Sequence, residues 1–286
     1  MSSIQHILFP FDFSEAGSRA ANYIGPLANR LHAKVTLLSV VPPIWNEPLA
    51  GMGPVIVQDP DELNRQLQTR LNQTFGQEFA GLEVDRIAVT GDPAVEITAF
   101  AHNQKVDLIM MPTHGFGLFR SLLLGSVTAK VLHDSHCPVW TSAHAEKQDA
   151  PHLPNKMLCA IDGTPESIGV LRWASQLSSQ LGASLNLLHV VAPASDLLAL
   201  ESERDLQESL REAARERVET FIKAAAVEAP LRVAVGDVAP TIAEEARQQG
   251  AHLLLLGRGS LQSKMGRLRT HEYGIIQSSP CPVISV

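Results

Sequence analysis

Cysteine is scarce in this chain: Cys137, Cys159 and Cys281 are the three in 286 residues. An odd, scattered set of this kind excludes a disulfide framework and fits a reducing compartment, where each thiol is expected as a small buried hydrophobe. Long apolar runs are missing too. None approaches the roughly 18 residues of a membrane span, and Gln5, His6 and Asp12 around the first apolar segment do not follow a signal-peptide plan. These absences give the expectation of a cytoplasmic protein with no membrane partner. Positive charge is not in excess, with 23 Lys and Arg against 30 Asp and Glu and a net charge of −7. A nucleic-acid partner is therefore not expected, since it would favour a basic face. The dinucleotide fingerprint G-x-G-x-x-G and the P-loop G-K-[ST] are both lacking, so hydride transfer and P-loop chemistry lose support. His133, His136 and Cys137 sit close together, but C-x2-C and H-x3-H spacings are absent and the matching segment Gln277 to Cys281 has no histidine. No metal site is expected.

What the chain does have is a repeat of itself. Residues 9–43 align with 159–193 without a gap at an offset of 150, pairing Asp12 with Asp162, Leu27 with Leu177, Leu31 with Leu181 and Val40 with Val190. Further along, Gly91-Asp92 matches Gly236-Asp237, and Cys137-Pro138-Val139 matches Cys281-Pro282-Val283. A length of 286 residues with 45% apolar content suits two domains, each with its own core. The expected division is domain 1 over 1–142, a polar linker over 143–155 and domain 2 over 156–286.

Each half alternates strand and helix patterns, which is the signature of a parallel sheet covered on both faces. In the first half, Ile7 to Phe11 reads as a strand, Ser14 as a helix cap and Ala16 to Leu31 as a helix. Val35 to Val41 follows as a strand, and Leu63, Leu67, Leu71 and Phe75 mark a helix. Strands over Val84 to Val89, Leu108 to Met111 and Val139 to Thr141 alternate with helices over Ala94 to Asn103 and Ser126 to His133. The second half repeats this order and ends in a strand over Val283 to Val286. The fold class expected is α/β, two tandem doubly wound Rossmann-like domains. The irregular segment from Pro42 to Pro60, with Trp45, Gly51, Met52 and Gly53, is either a surface loop or a cap over the first site.

The most specific motif is Pro112-Thr113-His114-Gly115, nine residues, then Gly125-Ser126-Val127. It runs from a strand through a loop into a helix start, where the backbone N–H groups of Ser126 and Val127 are open to an anion. The loop resembles the G-x2-G-x9-G-[ST] signature of the universal stress protein family, with Pro112 standing where the first glycine is usual. The resemblance covers the whole chain as two copies. It implies five parallel strands per domain in the order 3-2-1-4-5, of the adenine-nucleotide α-hydrolase-like kind, and ATP, with or without Mg2+, as the ligand of the first copy. It also implies a nucleotide-responsive stress or signalling role, with at most weak ATPase activity. The rival readings are a slow ATP hydrolase or transferase and a nucleotide-free interaction scaffold.

The first site is expected to draw on Pro10, Phe11, Asp12, Val40, Met111, Pro112, Thr113, His114, Gly115, Gly125, Ser126 and Val127. Asp12 either accepts hydrogen bonds from a ligand or caps the following helix. The resemblance places that aspartate near the nucleotide and the backbone around Val40 against adenine. His114 either touches phosphate or orders the loop, and Arg120 either pairs with the terminal phosphate or is a solvated loop residue. No catalytic residue is assigned.

In the second half Gly257-Arg258-Gly259-Ser260 departs from the motif, and Arg269 and Thr270 fall where Gly125 and Ser126 lie. A weaker second site is expected from Ile161, Asp162, Val190, Gly257 and Arg258. The cations Arg258, Lys264, Arg267 and Arg269 either replace the lost backbone donors toward an anion or form a solvated basic loop. Both halves end in an apolar edge strand, which gives the expectation that they pair within one chain, with homodimerisation as the alternative.

Overall fold

The computed structural model describes residues 3–42, 60–113, 124–142, 153–193, 200–258 and 267–286. The first repeat runs β1 (His6–Pro10), α1 (Glu15–Leu31), β2 (Lys34–Val41), α2 (Pro60–Asn72), β3 (Val84–Thr90), α3 (Pro93–Asn103), β4 (Leu108–Pro112), α4 (Ser126–Asp134) and β5 (Val139–Ser142). The second runs β6 (Lys156–Ala160), α5 (Ser167–Leu181), β7 (Ser184–Val191), α6 (Leu200–Ala225), β8 (Leu231–Val235), α7 (Val238–Gln248), β9 (Leu253–Leu256), α8 (Arg267–Ser278) and β10 (Val283–Ser285). Contacts group the chain into one compact unit of Ile4–Arg120 with Gly125–Val139 and another built chiefly from Trp140–Val286. The second unit takes in the end of β5, where Thr141 Oγ1 donates to the Val283 carbonyl at 3.3 Å.

Strand order is β3-β2-β1-β4-β5 in the first repeat and β8-β7-β6-β9-β10 in the second, the same doubly wound order in each. Within each repeat the pairings of β1 with β2 and β4, β2 with β3, β6 with β7 and β9, β7 with β8 and β9 with β10 are parallel, and the register repeats with the sequence: His6 faces Lys34 and Lys156 faces Ser184. Parallel strands covered on both faces read as continuous apolar runs rather than alternating ones. Ile7, Leu8 and Phe9 in β1 and Leu253 to Leu256 in β9 are buried throughout.

The helix starts follow from side-chain chemistry. Ser14 sits in extended conformation and its Oγ accepts from the Gly17 N–H at 3.1 Å, a cap of the kind that contributes about 1 kcal/mol. Asp92 does the same for α3, accepting from the Val95 N–H at 3.0 Å. Before the last strand of each repeat one turn recurs: Ser135 Oγ donates to the Cys137 carbonyl at 3.0 Å, and Ser279 Oγ to the Cys281 carbonyl at 2.7 Å. Cys159 and Cys281 are buried, and burial pushes their thiols up to about 12 and about 11, against a lowering hydrogen bond from Ser279 in the second case. These are inert core thiols.

One expected element ends early. Phe75 lies three residues past the end of α2, in left-handed conformation at φ +57°, instead of closing that helix. Its ring joins a cluster with Phe9, Phe11 and Phe79, at centroid separations of 6.0, 4.8 and 5.5 Å. Helix α1 accommodates this turn through Gly25, where a Cβ would fall 2.3 Å from the Glu78 carbonyl oxygen. Aromatic packing and a missing side chain on α1 together redirect the chain here, and apolar periodicity alone does not report either.

Candidate functional site

The first site is assembled at the carboxyl ends of β1, β2 and β4. Pro112 closes β4, and the chain re-enters the described structure at Leu124. Two hydrogen bonds tie the strand end to the start of α4: the Gly125 N–H donates to the Thr113 carbonyl at 2.9 Å, and Thr128 Oγ1 donates to the Pro112 carbonyl at 3.1 Å. Gly125 is the N-cap and supplies no side-chain cap, so the first-turn N–H groups of Ser126 and Val127 keep their capacity for an outside acceptor. Ser126 is exposed, Thr113 is buried and Met111 is buried. The lack of a proline N–H at position 112 costs nothing visible, because what this backbone contributes is its carbonyl.

Asp12 is exposed just beyond β1, with Oδ1 accepting from the Ser14 N–H at 3.0 Å. It therefore orders the turn into α1 while Ser14 performs the capping. Pro10 and Phe11 are buried beside it, and Val40 is half-buried near the end of β2. His114, Gly115 and Arg120 lie outside the described residues, as do the Trp45 to Gly53 part of the long loop, Gly259, Ser260 and Lys264. Nothing is described of the Arg267, Arg269 and Thr270 side chains either, although their backbone opens α8.

In the second repeat a cavity of about 670 Å³ opens at the carboxyl ends of β6, β7 and β9, the place where ligands enter such sheets. All five residues expected of the second site, Ile161, Asp162, Val190, Gly257 and Arg258, line it. Asp162 is more heavily engaged than Asp12: its Oδ1 accepts from the Thr164 N–H at 3.1 Å and from the Thr164 and Ser167 hydroxyls, both at 2.8 Å. The Arg258 guanidinium is held on the Ser285 carbonyl, with Nε at 3.3 Å and Nη2 at 3.1 Å. These two bonds hold the guanidinium at the rim of the cavity.

His189, Arg217 and Glu272 are among the lining residues that were not singled out from the sequence. His189 is buried, with Nδ1 2.8 Å from the Ile161 carbonyl oxygen. Burial lowers its pKa from the usual histidine value, opposed by the Ile161 hydrogen bond, and the Arg217 charge lowers it further. His189 stands at the repeat position of Ser39, and Gly163 at that of Phe13, but many other paired positions also differ, so the alignment does not mark them out.

With this geometry in place, the relatives of the chain can be set beside it. The universal stress protein family profile matches residues 3–142 and 154–286, and the chain belongs to that family. Universal stress protein MJ0531 of Methanocaldococcus jannaschii is 30% identical over 144 residues, which is 50% of this chain and 84% of that protein. A universal stress protein of Mycolicibacterium smegmatis is 25% identical over 194 residues, 67% of this chain and 65% of that protein. Among solved structures, a universal stress protein from Archaeoglobus fulgidus superposes with a TM-score of 0.69 at 23% identity, covering 99% of this chain and 96% of that one. That likeness concerns the fold, which is the tandem arrangement of two such domains. Among the described residues no helix is long and apolar enough to cross a membrane.

Proposed function

We propose that this protein binds an adenine nucleotide, ATP in the first domain, and acts as a nucleotide-responsive stress or signalling protein rather than as a catalyst of turnover. The observation that carries the reading is the junction of β4 and α4. Gly125 and Thr128 are bonded to Thr113 and Pro112, which fixes the amino end of α4 beside the strand ends. A helix start so placed, with a glycine in the cap position, presents backbone donors and a positive partial charge to phosphate. Asp12 and the Val40 backbone lie at neighbouring strand ends, where ribose and base would sit. Another universal stress protein has been solved in complex with cAMP, but the argument for this chain rests on its own residues.

The second domain is proposed as the weaker site, built from side chains around its cavity instead of from a glycine cradle. The two halves are further proposed to pair through their apolar edge strands within one chain, with a homodimer as the alternative. Separately expressed halves that fail to associate, with the whole chain sedimenting as a monomer of independent domains, would remove that element.

The test is calorimetric titration of ATP into protein stripped of co-purified nucleotide, comparing the native chain with Gly125→Phe. A bulky side chain at the cap blocks the approach of phosphate to the backbone, so the tighter of the two binding events should weaken at least about a hundredfold. Unchanged binding by the variant sinks the assignment. Rapid Mg2+-dependent phosphate release would favour the hydrolase instead, and no binding by either domain would favour the scaffold.

A further inference from the structure

His189 is held in one tautomer by its surroundings. Its Nδ1 lies 2.8 Å from the Ile161 carbonyl oxygen, and a carbonyl only accepts, so the ring proton sits on Nδ1. That leaves Nε2 as an acceptor, and it has no hydrogen-bond partner among the described residues, on a side chain only 5% exposed. The residue lines the 670 Å³ cavity. Room for the imidazole comes from Gly163, in left-handed conformation at φ +70°, where a Cβ would fall 3.3 Å from His189 Cε1 and 3.2 Å from Val218 Cγ2. The first repeat changes both partners together, placing Phe13 and Ser39 at these positions.

Charged groups line the cavity from several sides, namely Asp162 from the turn after β6, Glu166 before α5, Arg217 from α6, Arg258 after β9 and Glu272 from α8, while β7 brings His189 and α7 brings Val238 and Ile242. The walls between them are apolar, with Val170, Leu188 and Ile242 among them. A ligand that suits this site combines a flat or apolar body, an N–H or O–H donor for Nε2 and an anionic end for Arg217. An adenine nucleotide has all three.

We propose that His189 is the specificity-determining residue of the second cavity, accepting a hydrogen bond from a ligand N–H or O–H in its neutral form only, so that this site releases its ligand on acidification. The proposal rests on the nucleotide reading above and extends it to a second, pH-gated site. The sign follows from the ring: protonation converts Nε2 from acceptor to donor, so the ligand N–H or O–H loses its partner. Burial keeps the ring neutral near neutral pH, which is the state that accepts.

The probe is ADP, titrated into the full chain carrying Gly125→Phe so that the second site is read by itself. Between about pH 7.5 and about pH 5 its affinity should fall roughly tenfold. His189→Gln keeps an acceptor near the Nε2 position without titrating, and should bind with a flatter pH profile. His189→Leu should lose about tenfold at neutral pH and flatten the profile as well. Ionisation of ADP itself acts on all three proteins alike, so the difference between them is the readout. The imidazole 15N shifts of the unsubstituted protein give a measurement that no folding defect can confuse: Nδ1 protonated and Nε2 bare at neutral pH, with Nε2 moving on ADP addition. An Nδ1 without its proton, or ADP binding that ignores both pH and residue 189, overturns the proposal alone. Absence of ADP binding to the second domain at any pH overturns the nucleotide reading of that domain and the proposal with it.

Discussion

At the carboxyl end of β1 the chain places Phe13, and at the carboxyl end of β6, 150 positions on, Gly163. Both backbones turn through the left-handed region, at φ +62° and +70°. For glycine that conformation is free of steric cost, while for phenylalanine it costs about 1–2 kcal/mol. The first repeat offsets this with contacts: the Phe13 ring lies 4.8 Å from the Phe11 ring and carries the Arg70 guanidinium at 4.1 Å over its face. In the second repeat Gly163 brings no side chain of its own, and the nearest described groups to a hypothetical Cβ are Val218, His189 and Arg217. One arginine therefore stacks on an aromatic ring and the other faces a cavity. The turn is conserved between the copies by the geometry of the fold, and what fills it decides whether the corner is packed or left for a ligand.

The largest expected effect comes from forcing the second corner to copy the first. Gly163→Phe inserts a ring against Val218 and His189 in a conformation that already disfavours it, so ADP binding by the second domain should drop by at least about a hundredfold and the domain should lose about 1–3 kcal/mol of stability. Titration of the Gly125→Phe background measures the first quantity and urea denaturation the second. Retained ADP affinity would mean that the cavity is not where the second domain binds.

How much of this was legible beforehand depends on which signal each feature leaves. The strand–helix alternation followed from apolar runs, cap residues and the internal repeat, the strand order from the family resemblance, and β1, β2 and β4 lie within a residue or two of their expected bounds. The five expected residues of the second site all line one cavity. What periodicity could not give was the end of α2, since Phe75 fits an apolar helical stripe and a left-handed aromatic turn equally well until Gly25 and Phe79 are in place. His189 was hidden for a related reason: within a buried strand a histidine reads as one more core position, and only the carbonyl of Ile161 opposite Nδ1 shows that its other nitrogen is available. Both features depend on pairs of residues distant in sequence, which a pattern along one strand or helix does not encode.

A smaller effect sharpens the comparison from the first repeat's side. Phe75 is half-buried and touches three other rings, so Phe75→Ala should cost about 2–3 kcal/mol, below the range for a fully buried phenylalanine. Phe75→Gly removes the same contacts but relieves the left-handed backbone, and should be less destabilising than alanine by up to about 1 kcal/mol. Amide hydrogen exchange followed over 60–113 and over 200–258 locates the loss. Equal loss of protection in both segments, or alanine outperforming glycine, would contradict a local aromatic cluster that holds a strained turn.

The smallest effect concerns a second pair of unequal positions. His6 in β1 is buried, with Nε2 2.8 Å from Thr36 Oγ1, whereas the repeat places Lys156 and Asn186 there. Burial lowers the His6 pKa from its usual value, the Lys34 charge lowers it further, and a hydrogen bond from the ring to the Gln104 backbone carbonyl, with the charges of Asp107 and Asp85, works the other way. Because the folded value lies below the unfolded one, the stabilising contribution is present above the ordinary histidine pKa and is lost as pH falls below it and through the folded value. Acidification from about pH 7 to about pH 5 should therefore lower the melting temperature by roughly 1–3 °C through this residue, read as faster exchange over 3–42. His6→Gln removes the titration and should flatten that segment's pH dependence while leaving the second repeat, whose own buried histidine is His189, unchanged. A His6→Gln protein that keeps the full acid sensitivity over 3–42 would place its origin in other groups and take His6 out of the comparison.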